Sequence, residues 1–261
     1  MEQAFSRYQL AIEAARRGGD LAKRVYEETF HDRTLSFERK SDDSPVTVAD
    51  RGAEELIRRS IAQHFPNDGF LGEEFGDQPG SSGYRWIIDP IDGTKSFIRH
   101  APMWGTLIGL EYRGEPVAGV AYMPMFNHLY RALRGYGAYF NDTSIHVSKV
   151  ATVEESFLCY SSLTWFQQSG KLDDFLKLYA RTYRQRGYGD FYGFVLLAQG
   201  SCDIMIDYGV HPWDIAAVVP IVEEAGGRMT DWQDGRGIHK PDVVATNGKL
   251  HAEVLQYLRT S

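Results

Sequence analysis

Acidic residues occur in three short segments whose residue types suit a hard metal ion. Glu73 follows a short apolar run, and Asp214 opens an apolar helical stretch. Asp89 and Asp92 share the run Trp-Ile-Ile-Asp-Pro-Ile-Asp-Gly-Thr, in which a proline fixes the backbone between two converging carboxylates. Carboxylates gathered without a cation repel one another, and some of them stay protonated at neutral pH. Oxygen ligands without a Cys or His cluster favour Mg²⁺ or Mn²⁺ over structural zinc, so the three segments together predict a magnesium site.

Each segment taken alone also fits an ordinary structural role. Aspartate is common at helix starts, so Asp214 by itself fits an N-cap. Glu73 and Glu74 by themselves fit a solvated acidic turn, and the Asp-Pro-Ile-Asp run fits an acidic turn as well as it fits a site. It is the combination of the three segments that favours a metal site.

Hydrophobic periodicity predicts the elements that must position these acids. Helices are predicted over about the first thirty residues and over 50–65, 172–183, 191–198, 213–225 and 250–258. Strands are predicted over 35–39, 70–71, 86–88, 106–112, 117–122, 129–133, 138–140, 157–160, 203–206 and 243–245. This order predicts an α/β fold, with an α+β N-terminal half over residues 1–145 and an α/β C-terminal half over residues 146–261.

Composition excludes several classes of function. The 261 residues carry a net charge of −7, which disfavours binding to nucleic acid. No apolar run is long enough to span a bilayer, and the first ten residues lack the apolar core of a secretion signal. Cys159 and Cys202 lie in apolar runs, which indicates buried free thiols in a reducing compartment. We therefore expect a cytoplasmic protein that binds neither nucleic acid nor membrane.

The acidic motifs resemble those of the inositol monophosphatase family. The resemblance rests on Gly72-Glu73-Glu74, on Asp89-Pro90-Ile91-Asp92-Gly93-Thr94, and on Trp213-Asp214-Ile215-Ala216-Ala217 followed by Glu224-Ala225-Gly226-Gly227. It implies a layered α-β-α-β-α sandwich, a homodimer, and two or three Mg²⁺ ions per site, with Mn²⁺ as an alternative. Within the family, the chain is most similar to the histidinol-phosphate phosphatases, a likeness carried by residues 93–99, 102–108 and 186–191. Lys95, Ser96 and Asp190 are the residues in these stretches that differ from the usual inositol phosphatases.

The resemblance also implies roles for individual residues. The metal ligands are Glu73, Asp89, the Ile91 carbonyl, Asp92 and Asp214. Thr94 helps to activate the attacking water, assisted by either Glu73 or Asp50, and the sequence leaves that choice open. The substrate-binding residues are Gly93, Thr94, Arg186, Asp190, Asp207 and Asp214. Lys40 precedes a polar stretch that in the family folds over the site. A catalytic role and a solvated position at the surface fit Lys40 equally well.

Several of these residues have a plain alternative. Asp50 also fits the N-cap of the helix that follows it, Asp190 fits another N-cap, and Asp207 fits a turn at a strand end. Phe97, Trp104 and Tyr188 are interpreted as core aromatics. His211 is interpreted as structural, because water activated by a metal needs no histidine base.

The implied activity is Mg²⁺-dependent hydrolysis of histidinol phosphate to histidinol and phosphate, a step of histidine biosynthesis. The alternative within the same class is an inositol-1-monophosphatase or a broad sugar-phosphate phosphatase. A metal-binding regulatory protein without activity is the alternative from a different class. The intact set of Glu73, Asp89, Asp92, Thr94 and Asp214 argues against that last alternative.

Overall fold

The computed structural model describes residues 2–30, 36–39 and 45–259. Lys40, the polar residues 41–44 and the first residue of the strand predicted over 35–39 lie outside these ranges. The helices are α1 Glu2–Phe30, α2 Val48–His64, α3 Thr94–Ile98, α4 Leu163–Gln168, α5 Leu172–Arg181, α6 Asp190–Ala198, α7 Pro212–Ile215, α8 Val218–Glu224 and α9 His251–Arg259. The strands are β1 Glu38–Arg39, β2 Pro45–Val46, β3 Gly69–Gly72, β4 Gly76–Gln78, β5 Tyr84–Asp92, β6 Gly105–Tyr112, β7 Glu115–Met123, β8 His128–Leu133, β9 Ala138–Phe140, β10 Thr143–Ser144, β11 Phe157–Tyr160, β12 Arg184–Arg186, β13 Ile204–Tyr208, β14 Arg228–Thr230 and β15 Asp242–Thr246.

The strands form two large sheets and one short ribbon. The first sheet has eight strands in the order β10-β9-β8-β7-β6-β5-β3-β4, and β3 is parallel to β5 while the other pairs are antiparallel. The second sheet has five strands in the order β12-β11-β13-β15-β14, with β11 parallel to both of its neighbours. β1 and β2 form the ribbon. The boundary predicted at residue 145 follows β10, and its meaning as a domain division stays a prediction.

The helices lie in three layers that enclose the two sheets. Alternate residues of a strand face opposite sides of a sheet, so each sheet can bury both faces. Trp86 and Ile88 face α1 and α2, while Ile87 faces the middle layer of α6, α7 and α8. In the second sheet Met205 faces that same middle layer, and Ile206 faces the outer layer of α4, α5 and α9. The predicted α-β-α-β-α sandwich is therefore confirmed.

The helix predicted over 213–225 is divided in two. α7 ends at Ile215 and α8 begins at Val218. Pro220 has no N–H to donate to the carbonyl of Ala216, four residues earlier, so the helical hydrogen bonding is interrupted there. The helix predicted over 172–183 ends at Arg181. The chain after it forms the edge strand β12, which the hydrophobic pattern did not indicate.

Most of the predicted interior residues are buried, with one exception. Cys159 and Cys202 are buried free cysteines, as expected. Phe97 and Trp104 are fully buried, which confirms their interpretation as core aromatics. Tyr188 is 41% exposed, so the same interpretation is wrong for that residue.

Among the helices of the described residues, none combines the length and the apolar character needed to cross a membrane.

A buried ion pair fixes α1 to the edge of the first sheet. Asp68, whose side chain is fully buried, accepts hydrogen bonds from Arg7 Nε at 2.7 Å and from Arg7 Nη2 at 2.8 Å. It also accepts from Ser82 Oγ at 2.6 Å and from Trp86 Nε1 at 2.9 Å. Burial alone would raise the pKa of Asp68, but the bonds from Arg7, Ser82 and Trp86 outweigh it and hold the pKa below its ordinary value. Because Asp68 directly precedes β3, this pair anchors the strand that leads to Glu73.

Asp68→Asn should lower the free energy of unfolding by about 3–5 kcal/mol at pH 7, because Arg7 then lies buried without a counter-charge. The measurement is denaturant unfolding. Asp77→Asn is the control, since it removes only a 2.8 Å surface pair with Arg85 and should cost less than about 1 kcal/mol. The difference in the free energy of unfolding between the parent and Asp68→Asn should disappear below about pH 4, where the carboxyl group of Asp68 takes up a proton. Equal losses in the two variants at pH 7 would contradict the anchoring role.

Candidate metal and phosphate site

A β-bulge turns the two acids of β5 to the same side of the strand. Asp89 pairs with Leu107 of β6 and Asp92 pairs with Gly105, so three steps along β5 match two steps along β6. In a regular strand, residues three apart face opposite sides. The one extra residue, in the stretch that contains Pro90, cancels this alternation. The spacing of the motif therefore brings two carboxylates together.

Asp214 reaches the same place from the middle helical layer. α7 packs against β5 and β6, and Asp214 is its third residue. One carboxylate oxygen of Asp214 accepts a hydrogen bond from the His211 N–H at 2.7 Å, which caps the helix start. Carboxylate oxygens of Asp89, Asp92 and Asp214 all lie within 4.8 Å of one another, so the three residues could hold a metal ion. The cap and the site are thus two uses of one side chain, and His211 has the structural role expected of it.

The electrostatics of this group favour a bound cation. Burial, and then the charge of Glu73, raise the pKa of Asp89 well above its ordinary value. Burial, and then the charges of Asp190 and Asp214, do the same to the pKa of Asp92. Backbone N–H groups of Ile91 and Phe191 donate to Asp89 at 3.0 Å and to Asp92 at 2.7 Å. These bonds offset only part of the repulsion, so the all-oxygen donor set fits a hard ion such as Mg²⁺ or Mn²⁺.

Glu73 and Thr94 border the acidic group. Glu73 follows β3 and its N–H donates to the Ile88 carbonyl at 3.1 Å, which places it beside the end of β5. Glu73 is not part of the group formed by Asp89, Asp92 and Asp214. It lines the same cavity as Asp92 and Asp214. Thr94 begins α3, and its hydroxyl donates to the Ile91 carbonyl at 2.9 Å. The preceding Gly93 has a φ of 88°, a left-handed conformation that glycine adopts without strain.

Asp50 connects α2 to Thr94. The Thr94 hydroxyl lies 3.4 Å from Asp50 Oδ1, a long hydrogen bond. Asp50 Oδ2 accepts from the Thr47 N–H at 2.8 Å, so this carboxylate also caps α2. Burial raises the pKa of Asp50 to about 7, against the lowering effect of the Thr47 hydrogen bonds and with a smaller contribution from Glu74 and Glu73. A carboxyl group with that pKa can accept a proton near neutral pH.

A cavity of about 240 Å³ extends from the acidic group toward the second sheet. Its end at the acidic group is lined by Glu73, Asp92, Gly93, Thr94 and Asp214. Its far end is lined by Ser161, Trp165, Asp190, Asp207, Tyr208 and Val210. The predicted substrate residues Asp190 and Asp207 therefore lie beyond the acidic group in one continuous space.

The two acids of the far end are held differently. Asp190 starts α6 with a φ of 53°, an uncommon conformation for a residue other than glycine. Asp190 is exposed to the cavity. Desolvation by the surrounding protein raises its pKa, the charge of Asp214 raises it further, and the charge of Lys95 lowers it in part. Asp207 is buried on β13 and accepts hydrogen bonds from the Ser161 hydroxyl and from the Tyr208 N–H. Burial raises the pKa of Asp207 to about 7, although those two bonds lower it.

Some cavity residues carried no sequence signal, and one predicted residue lies elsewhere. Trp165 on α4 is half-buried, and its ring faces Gly209, where a Cβ atom would lie 3.5 Å from it. The Lys95 ammonium lies 5.6 Å from the centre of the same ring. Arg186 lies on the exposed edge strand β12, donates to the Gln185 carbonyl at 2.7 Å, and does not line this cavity. Trp165 belongs to no motif, so only the fold places it here.

Comparison with known proteins identifies the family and agrees with the fold. The model of the inositol monophosphatase family matches residues 6–261. The histidinol-phosphatase of Chlorobaculum parvum is 42% identical over 236 residues, which cover 88% of this chain and 90% of that protein. The histidinol-phosphatase of Streptomyces coelicolor is 40% identical over 233 residues, covering 86% of this chain and 87% of that protein.

A solved structure has the same fold as this chain. The crystal structure of extragenic suppressor protein suhB from Bartonella henselae superposes with a TM-score of 0.91 at 30% identity, covering 98% of this chain and 99% of that one. The family-model match spans nearly the whole chain and includes all three acidic segments. The relatives from Chlorobaculum parvum and Streptomyces coelicolor are phosphatases, and the chain belongs to the inositol monophosphatase family.

Proposed function

We propose that this protein is a Mg²⁺-dependent phosphomonoesterase whose substrate is histidinol phosphate. The oxygen-only acidic group supports a divalent cation of the hard class. The names of the relatives at 40–42% identity support the substrate. The single observation that carries the substrate proposal within this chain is the pair of carboxylates, Asp190 and Asp207, at the far end of the cavity.

The proposed metal ligands are Glu73, Asp89, the Ile91 carbonyl, Asp92 and Asp214. The carboxylates of Asp89, Asp92 and Asp214 fit a cation by distance, and Glu73 faces the same cavity. When bound, Mg²⁺ supplies a Lewis acid that makes water a better nucleophile and offsets negative charge on the leaving oxygen. The protein's part is to hold the acids in place, through the bulge of β5 and the cap of α7.

Thr94 is proposed to position the attacking water and Asp50 to receive its proton. The 3.4 Å contact between Thr94 Oγ1 and Asp50 Oδ1 supports Asp50 rather than Glu73 as the partner of Thr94. The backbone N–H groups of Gly93 and Thr94, at the start of α3, are proposed to hold phosphate oxygens. The phosphate would then lie between these groups and the acidic group, and the alcohol part would extend along the cavity.

The far end of the cavity suits a cationic leaving group. Histidinol carries an amine that is protonated at neutral pH, and it carries an imidazole ring. Asp190 offers a carboxylate that is exposed to the cavity, and buried Asp207 adds a second one. Trp165 offers an aromatic face that already lies near a cation, the ammonium of Lys95. Inositol offers only hydroxyl groups, so the same surroundings give it no charge pairing.

The homodimer, the cytoplasmic location and the division into halves at residue 145 belong to this proposal. They rest on the family resemblance and on the sequence. No charge or apolar feature of the cavity requires a nucleic acid or a membrane as a partner.

Asp89→Asn should raise the melting temperature of the metal-free protein and abolish most of its increase with Mg²⁺. The variant removes one buried like charge yet keeps an oxygen that can accept from the Ile91 N–H. A relief of about 1 kcal/mol corresponds to an increase of roughly 2–4 °C for a chain of this size. In the parent, Mg²⁺ at a hundred times its dissociation constant should stabilise the fold by about 2.7 kcal/mol.

Thermal unfolding with EDTA and with Mg²⁺ measures both effects. Asp142→Asn is the control, because that carboxylate is fully exposed and forms a 3.8 Å surface pair with Arg131. It should behave as the parent does in both conditions. If Asp89→Asn kept the full increase with Mg²⁺, Asp89 would not be a ligand.

The parent should hydrolyse histidinol phosphate with a much higher kcat/KM than inositol 1-phosphate, and Asp190→Asn should reduce that preference. Loss of a hydrogen bond to a charged group costs about 1.5–3 kcal/mol, so kcat/KM for histidinol phosphate should fall roughly 10- to 150-fold. Asparagine tolerates the left-handed conformation of residue 190, so the backbone should be retained. Glycerol phosphate, a small ester whose alcohol part carries no charge, should be hydrolysed nearly as before.

Phosphate release from all three esters, by the parent and by the variant, distinguishes the outcomes. A similar loss for glycerol phosphate would assign Asp190 to the stability of α6 instead of substrate recognition. Equal or better hydrolysis of inositol 1-phosphate by the parent would reject histidinol phosphate as the preferred substrate and leave the phosphatase proposal in place.

A further inference from the structure

A fully buried carboxylate of α2 holds the turn that carries Glu73. Glu54 Oε2 accepts a hydrogen bond from the Glu74 N–H at 2.8 Å, and Oε1 accepts from the Phe75 N–H at 3.4 Å. The Glu54 side chain has no solvent exposure. These two amides belong to the residues that directly follow Glu73. The position of the Glu73 backbone is therefore tied to a side chain of another element.

Arg58, one helical turn further along α2, completes this clamp. Its Nε donates to Glu54 Oε1 at 2.7 Å, and its Nη2 donates to the Gly76 carbonyl at 2.6 Å. The guanidinium lies 5.3 Å from the centre of the Phe70 ring and 5.9 Å from that of Phe75. The ion pair is thus hydrogen-bonded to both ends of the turn, to residue 74 through Glu54 and to residue 76 through Arg58.

The approach of Glu54 to this turn is close enough to restrict the sequence of the turn. A Cβ atom at Gly72 would lie 1.8 Å from Glu54 Oε1 and 2.8 Å from Arg58 Nη2. A side chain at position 72 would displace the clamp. The glycine that ends β3 therefore leaves room for the buried carboxylate.

One face of α2 serves two parts of the site. Asp50, Glu54 and Arg58 are spaced four residues apart and so share a face of the helix. Asp50 contacts Thr94 at 3.4 Å, and Glu54 holds the residues after Glu73. Burial raises the pKa of Glu54, and the hydrogen bond from the Glu74 N–H and the charge of Arg58 offset part of this rise. Apolar residues of similar volume in place of such a buried ion pair are often as stable or more stable, which favours a role for this pair beyond net stability.

We propose that Glu54 is a positioning residue that fixes Glu73 for metal binding, with Arg58 as its support. This inference rests on the proposed role of Glu73 as a metal ligand. A carboxylate that holds a ligand in one orientation reduces the ordering that the metal must impose, and loss of such partners typically weakens metal binding about 10- to 100-fold.

The test is the Mg²⁺ dissociation constant of Glu54→Gln, measured from the melting temperature as a function of Mg²⁺ concentration. Glutamine keeps the size but loses the charge and one of the two acceptor oxygens. We expect weaker Mg²⁺ binding by about 10- to 100-fold, with kcat restored toward that of the parent at saturating Mg²⁺. Glu55→Gln is the matched control on the same helix, since Glu55 forms an exposed pair with Arg59 at 2.9 Å. Its Mg²⁺ affinity should equal that of the parent.

Two further variants keep the test decisive. Arg58→Met keeps an apolar stem between the two rings, and it should weaken Mg²⁺ binding in the same direction even if Glu54→Gln folds poorly. Glu73→Gln is the reference for loss of the ligand itself. If Glu73→Gln weakens Mg²⁺ binding while Glu54→Gln and Arg58→Met bind as the parent does, the positioning role is rejected and the proposed function stands. If Glu73→Gln also binds Mg²⁺ as the parent does, the ligand role of Glu73 is rejected along with the positioning role.

Discussion

Repulsion among buried carboxylates is the constraint on which this structure depends. Oxygens of Asp89, Asp92 and Asp214 lie within 4.8 Å of one another, and the first two side chains are buried. The charges that act most strongly on Asp89 are all acidic, those of Glu73, Asp92, Asp214 and Asp50. An arrangement of this kind costs free energy unless a cation or protons neutralise it. The rest of the fold must therefore hold the acids together against their own repulsion.

The layered architecture supplies that restraint from several directions. β5 brings two acids through its bulge, α7 brings a third from the middle layer, and α2 holds the turn of Glu73 from the opposite face of the sheet. The middle layer shares one apolar core with both sheets, so its helices cannot move away from the acids without exposing that core. The cavity opens where this layer meets the second sheet. The end of the cavity at the acidic group and its far end, to which the proposal assigns metal binding and substrate recognition, are thus built from separate elements.

The sequence predicted the parts of the site that are local in the chain. The Asp-Pro-Ile-Asp run brings Asp89 and Asp92 together through its own local geometry. Their meeting with Asp214, which lies far along the chain, was expected from the combination of the acidic segments and from the family resemblance, and the packing of α7 on β5 and β6 brings it about. Trp165 was missed because its place against Gly209 depends on how α4 packs on β13. Glu54 was missed because its partners lie twenty residues further along the chain. The break before α8 was overlooked although Pro220 was a visible signal for it.

Calorimetric titration of Mg²⁺ into the metal-free protein tests the central claim, that the clustered carboxylates form a cation site. Because burial and like charges raise the pKa values of Asp89 and Asp92, protons compete with a cation for these carboxylates, and cation binding is coupled to their release. Titrations in buffers of different ionisation enthalpy should therefore show proton release with Mg²⁺ binding, and the release should decrease as the pH rises. Absence of Mg²⁺ binding, or binding with no proton release at any pH between about 5 and 8, would contradict the claim.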